Sequence, residues 1–334
     1  MCSPEYNSVA TAKVTEALSP SGVSSSFSWK WAVAVLFAPP LNCAFATWFP
    51  FAIPYTKAFH YYVEARYEYK EGETYFDNSA LTYVTDYLLF VAMASAAFDM
   101  YKLSTLKSSP PHLRNICRAT CGLLTCYATS VLCGGLSHQF FTSIALLNTW
   151  AFRFLWIMCV GTVTAASGFI GAIGSFIALY FRQQQQQRKR DEDIGVKTQG
   201  YAILDFFIAP IYFWVLFALY LTLACIYGEM SFHRPACDIF VAGTGQFPPT
   251  TYLLLMLLVS PSKGVVSKGL RAMFFIGFLL NSWLLPAYPE LLETGLPEGY
   301  VNFLLHTNLF VAWGLQYVSI KELCVTQMPL LVSC

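Results

Sequence analysis

Charge is what this sequence has least of. Its 334 residues carry 20 Lys and Arg against 19 Asp and Glu, 12% of the chain, where an ordinary soluble domain holds about 25%. A net charge of +1 offers no basic surface to a phosphate backbone, which excludes a nucleic-acid partner. No CxxC occurs, which argues against a zinc ribbon and a thioredoxin-type redox motif. There is also no Asn-x-Ser/Thr acceptor and no internal repeat relating the two halves. Residues 1–28 lack the basic head and short apolar core of a signal peptide. What remains is 56% apolar and 17% aromatic, too apolar for a disordered chain or a water-washed globule.

Such a composition predicts an all-α, polytopic membrane helix bundle. A bilayer core needs about 20 apolar residues in helix, and only helices and closed barrels satisfy every backbone group in lipid. The apolar runs do not alternate with the period of two that a barrel strand shows. Strong windows lie at 80–101, 117–137, 150–181, 201–227, 270–288 and 301–320, and a weaker one at 236–259 is interrupted by Gly243, Thr244, Gly245 and Gln246. These make seven core transmembrane helices. The Pro-rich stretch 31–54, with Pro39, Pro40, Pro50 and Pro54, adds an eighth, kinked helix, since proline breaks the helix ladder. The chain then divides into a disordered tail (1–28), the Pro-rich hydrophobic segment (29–56), an outer loop (57–79), the bundle (80–320) and a cytoplasmic tail (321–334).

Lys and Arg concentrate in alternate connections, notably Lys102, Lys107, Arg114 and Arg118 after the first core window and Arg182, Arg188, Lys189, Arg190 and Lys197 after the third. The positive-inside rule puts these in the cytoplasm, together with the C-terminus. The run Gln183 to Gln187 with the charges that follow it reads as a solvated cytoplasmic loop. The 150–181 window carries Gly161, Ala165, Gly168, Gly171, Ala172, Gly174 and Ser175, a small-residue stripe suited to close packing within the bundle or to a helix-packed homo-oligomer. Membrane lipids are the expected partners. Most of the cysteines read as small apolar residues inside helices. Cys133 and Cys237 lie near the outer face as a candidate disulfide, and Cys2, Cys324 and Cys334 as candidate acylation sites.

Ionisable groups at membrane depth are costly and default to functional candidates. With the orientation above, Asp86, His138 and His306 fall near one non-cytoplasmic level, and Asn148 joins them. Asp86 and Asn148 are the candidate catalytic residues, and His138 and His306 the candidate metal ligands. Imidazole and carboxylate are ligands that Zn2+ prefers, and zinc acidifies a bound water. Asp99 and Asp205 read as inner-end residues, Asp99 pairing with Lys102 or water.

A histidine ending the second core helix, a polar residue opening the third and a histidine opening the seventh resemble the CREST superfamily, which holds alkaline ceramidases, progestin and adipoQ receptors and Per1-type lipid remodellers. The resemblance implies a seven-helix fold and, for enzymatic members, zinc-dependent hydrolysis of lipid amide or ester bonds. His138 matches the first histidine of the family pattern and His306 one of a His-x-x-x-His pair. The chain departs from the pattern at Gly134, where the family has Ser, at Asn148, near its Asp, and at Asn302 and Phe310, neither of which supplies the remaining histidine. The alternatives are a receptor, lipid-binding or scaffold protein on the same bundle, and a small-molecule transporter built around the break at 243–249.

Overall fold

In the computed structural model, residues 28–48, 76–106, 109–191, 207–232, 242–259 and 266–327 are described. They contain helices and no strand: α1 (Trp29–Trp48), α2 (Ala80–Thr105), α3 (Pro111–Phe140), the single turn α4 (Ile144–Leu147), α5 (Trp150–Asp191), α6 (Ile211–Phe232), α7 (Phe247–Val259), α8 (Lys268–Glu293) and α9 (Glu298–Gln327). Most of the N-terminal tail, most of the outer loop, Asp205, Cys237 and the last seven residues lie outside the described residues.

The described part of each apolar window carries a helix, and the ends follow local chemistry. Pro111 opens α3 at a position where a missing N–H costs nothing. Ser267 caps α8 by accepting from Leu270 N at 3.0 Å. Between α8 and α9 the chain reverses through Gly295, whose φ of 79° is a left-handed conformation that favours glycine. Helix α1 continues through Pro39 and Pro40. The 236–259 window is broken where the sequence suggested. Residues 242–245 form a helical turn, Gln246 interrupts it, and α7 starts afresh at Phe247 with Pro248 and Pro249 in its first turn.

Helix α2 packs on α3, α3 on α5, α5 on α7, α7 on α8, α8 on α9, and α9 back on α2. The six close a ring, while α6 joins through α5 and carries α1. Inside the ring Tyr127 of α3 stacks on Trp313 of α9, with ring centroids 4.1 Å apart and planes 5° apart. The Tyr127 hydroxyl donates to Gln246 Oε1 at 2.9 Å, and Gln246 Nε2 donates to the Val163 carbonyl at 3.1 Å. The residue that breaks the helix is thus the polar pin of the core. Along α5 the small-residue stripe receives α6, with Gly171 against the Trp214 indole.

Three of the described helices are long and apolar enough to cross a membrane: Ala80–Thr105, Pro111–Phe140 and Trp150–Gln184. On α2 the exposed Val84, Leu88, Val91 and Phe98 make one stripe at helical spacing. Further exposed apolar residues include Val215, Leu219 and Leu223 on α6 and Phe275, Ile276 and Leu279 on α8. Apolar stripes of this extent are not left facing water, so the chain is membrane-embedded. At the end of α2 distant from Asp86, Asp99 pairs with Lys321 at 2.7 Å and accepts from the Tyr317 hydroxyl at 2.5 Å. Lys321 thus takes the place expected of Lys102, whose ammonium instead lies over the Phe98 ring, 4.3 Å from its centroid.

Candidate functional site

The site is assembled at the start of α2, the end of α3 and the start of α9. Asp77 and Asn78 precede α2 and tie the three together. Asp77 Oδ1 accepts from the Ser79 N–H at 2.9 Å, while its Oδ2 accepts from Ser79 Oγ at 2.9 Å, Asn302 Nδ2 at 3.1 Å and the Thr82 hydroxyl. Burial opposes the charge on Asp77, but the hydrogen bonds from Thr82, Asn302 and Ser79 outweigh it and hold the carboxyl below its usual range. Asn78 Nδ2 donates to the carbonyls of His138 at 2.7 Å and Phe141 at 3.1 Å. These are acceptors that the last turn of a helix leaves without intrahelical donors.

His138 is held by the same loop. Its Nδ1 lies 2.6 Å from the Asp77 carbonyl, which can only accept, so Nδ1 carries the hydrogen. Phe76 stacks on the imidazole with centroids 4.7 Å apart, and Trp156 of α5 meets it edge-on at 6.0 Å. In the neutral ring Nε2 is then the basic nitrogen, an arrangement often seen when a carbonyl orients a ligating histidine.

Asp86 and His306 meet directly. His306 Nε2 is 3.3 Å from Asp86 Oδ1, and both side chains are nearly closed to solvent. His306 Nδ1 lies 2.7 Å from the Thr85 hydroxyl. Thr85 Oγ1 also sits 2.6 Å from the Leu81 carbonyl and 2.8 Å from the Thr82 carbonyl, so its single hydrogen points either to one of these carbonyls or to His306. If it points to a carbonyl, His306 Nδ1–H donates to Thr85, and a further proton must join Nε2 to Asp86. If it points to His306, Nε2–H donates to an Asp86 carboxylate. Either way a hydrogen lies between Nε2 and Oδ1, because two bare acceptors facing each other in a dry interior would repel.

Asp86 Oδ2 is buried and has no hydrogen-bond partner among the described residues. It faces Gly134 of α3, where a Cβ would stand 3.6 Å from Oδ2 and 3.7 Å from Cys159 Sγ. An orphaned buried carboxylate oxygen is costly, and in a native fold it calls for an explanation.

The residues expected from sequence therefore divide. Asp86 and His306 are in contact. His138 belongs to the adjoining loop clasp and is an electrostatic neighbour of His306. Asn148 is exposed in the connection before α5, where its backbone N–H caps the short helix α4. Asn302 enters as a partner of Asp77. Asp77 and Thr85 were missed, although Asp-x-Ser just before an apolar run is a helix-start signal. The donor types suit zinc. Yet among the described residues no group of three or more His, Cys, Asp and Glu side chains is disposed to hold a metal ion.

No family model, curated protein or solved structure matches this chain.

Proposed function

We propose that the chain is a multi-pass membrane protein with seven core helices and α1 as an eighth, acting as a lipid amide or ester hydrolase of CREST type. The observation that carries this reading is the buried Asp86–His306 contact with Asp86 Oδ2 left over. Both nitrogens of His306 are engaged, so the atom available to accept a proton from water is Asp86 Oδ2. His306 orients that carboxyl, and Thr85 orients His306. General acid–base groups of this kind contribute about 10²–10⁴-fold in rate. Should Zn2+ be bound, its proposed ligands are His138 through Nε2 and His306 through Nε2, the latter only once its contact with Asp86 is given up, and the ion would acidify a bound water; proton acceptance by Asp86 and its orientation by His306 require no metal.

The test is hydrolysis of a panel of N-acyl and glycerol lipids by the purified protein in micelles, with elemental analysis of the same sample. Release of fatty acid that Asp86→Asn abolishes, with the helical content intact, supports the reading. Absence of release from every lipid would overturn it.

A second reading has its own observation. Asp77, Asn78, Asn302 and Thr82 are mutually satisfied and join three helix ends, as a structural clasp in a receptor or scaffold would. It predicts that substitutions in the layer lower stability and alter no turnover.

A further inference from the structure

From sequence, Cys159 reads as a small apolar residue inside a helix, yet the fold sets it beside the polar site. It lies about one turn along α5 from Trp156, which meets His138 edge-on, and its side chain is half-buried. Cys324, a candidate for acylation from its place in the sequence, is instead fully buried in the main apolar cluster.

Two polar groups approach the Cys159 thiol. Ser130 Oγ of α3 is 3.6 Å from Sγ. One turn further along α3, the point where a Cβ would stand on Gly134 is 3.7 Å from Sγ and 3.6 Å from Asp86 Oδ2. The thiol and the carboxylate oxygen therefore border one space, which Gly134 leaves open by having no side chain. Asp86 is 3% exposed and its Oδ2 has no hydrogen-bond partner among the described residues, so the acceptor that faces this space is not spent on anything else described. A thiol attacks well only once a base takes its hydrogen, and a base acts at hydrogen-bond distance or through one water. Two atoms in contact range of a single point are close enough for that relay.

We propose that Cys159 is the nucleophile of this site and carries the acyl group of an ester lipid as a thioester. Resting on the hydrolase reading, this adds a covalent step to it. Sγ attacks the ester carbonyl while Asp86 Oδ2 takes the thiol hydrogen. The C–O bond breaks, the alcohol leaves with that hydrogen, and the acyl group stays on sulfur. Water then attacks the thioester while Oδ2 takes one of its hydrogens. The C–S bond breaks, sulfur recovers the hydrogen from Oδ2, and the fatty acid leaves. One ester and one water become one alcohol and one acid, with nothing oxidised or reduced. Ser130 Oγ–H is placed to donate to the sulfur while it lacks its hydrogen. An alkoxide leaves far more readily than an amide anion, which selects esters over amides.

The experiment mixes the purified full-length protein in micelles with a monoacylglycerol whose acyl chain ends in an alkyne, quenches with acid within one turnover, attaches a reporter to the alkyne and maps the labelled peptides by mass spectrometry. Fatty acid is measured in the same samples. The expected label sits on the Cys159 peptide and is released by neutral hydroxylamine, as a thioester is. Cys159→Ala loses both label and release, and Cys159→Ser holds a label that resists neutral hydroxylamine. Release of fatty acid with no label on Cys159, or with the label on another cysteine, overturns the nucleophile and leaves the hydrolase reading standing. A label on Cys159 without release does the reverse, and the lack of both removes the two together. Should a variant fail to fold, the peptide map of the unsubstituted protein decides alone.

Discussion

His306 Nε2 of α9 stands 3.3 Å from Asp86 Oδ1 of α2 in a solvent-poor interior, and the other Asp86 oxygen is satisfied by no described residue. Removing either partner has a defined cost. His306→Ala leaves the whole Asp86 carboxyl buried and alone, and a broken buried pair costs about 3–5 kcal/mol. Asp86→Asn keeps the shape and an N–H that can donate to Nε2, so its midpoint stays close to that of the parent while hydrolysis is lost. Thermal unfolding and lipid turnover on the same preparations separate the two effects.

Gly134→Ser tests the orphaned oxygen. A Cβ there meets Asp86 Oδ2 and Cys159 Sγ at ordinary contact distances of 3.6 and 3.7 Å, and a serine hydroxyl can donate to Oδ2. Stability should rise by about 1 kcal/mol. Gly135→Ala is the contrast, because its methyl would crowd Asp86 Cβ and Tyr87 Cε1, both at 3.0 Å. It should cost about 1–3 kcal/mol. Chemical denaturation of both variants against the parent checks the pair of signs.

Glu298 opens α9 just before its apolar span and supplies a pH dependence. Burial first, and then the Asp77 charge, push its carboxyl up to about 7 from an ordinary 4.5. Between those values the folded state binds more protons than the unfolded one, so stability falls as pH rises through the window and stays lower above it. Glu298→Gln should flatten that slope. Midpoints measured across the window for both proteins give the answer, and an unchanged slope in the variant would refute the assignment.

Gly171→Ala probes the seam between α5 and α6. The added methyl would fall on the Trp214 indole, so the helices must separate at a cost of about 1–3 kcal/mol. Hydrogen exchange should speed up across 211–227 and stay unchanged in α2 and α3.

The helices were legible because apolar length survives any tertiary arrangement: the windows at 80–101, 117–137 and 150–181 became α2, α3 and α5 with their ends extended. The break at Gln246 was legible because Gly243, Thr244, Gly245 and Gln246 cluster ahead of two prolines. Charge sidedness brought Asp86 and His306 to one level, yet sequence could not say that they touch. That depends on α9 closing the ring against α2. Asn148, expected at the site from its membrane level and its position near the Asp of the family pattern, lies exposed at the end of α4. Asp77 escaped notice because a carboxylate in a loop looks like any solvated charge until a helix start and a distant Asn302 converge on it. Lys321 replaced Lys102 as the partner of Asp99 for the same reason, being near in space and far in sequence.

Helix α1 rests on α6, and its Asn42 amide reaches Thr244 at 3.3 Å, so its neighbours are synthesised long after it. The ribosome delivers α2, α3 and α5 in succession, each next to a helix it will keep. Until the second half of the chain emerges, α1 must wait without the helix it packs on. Biogenesis of this protein therefore has two tempos, an immediate one for the trio and a delayed one for the first helix.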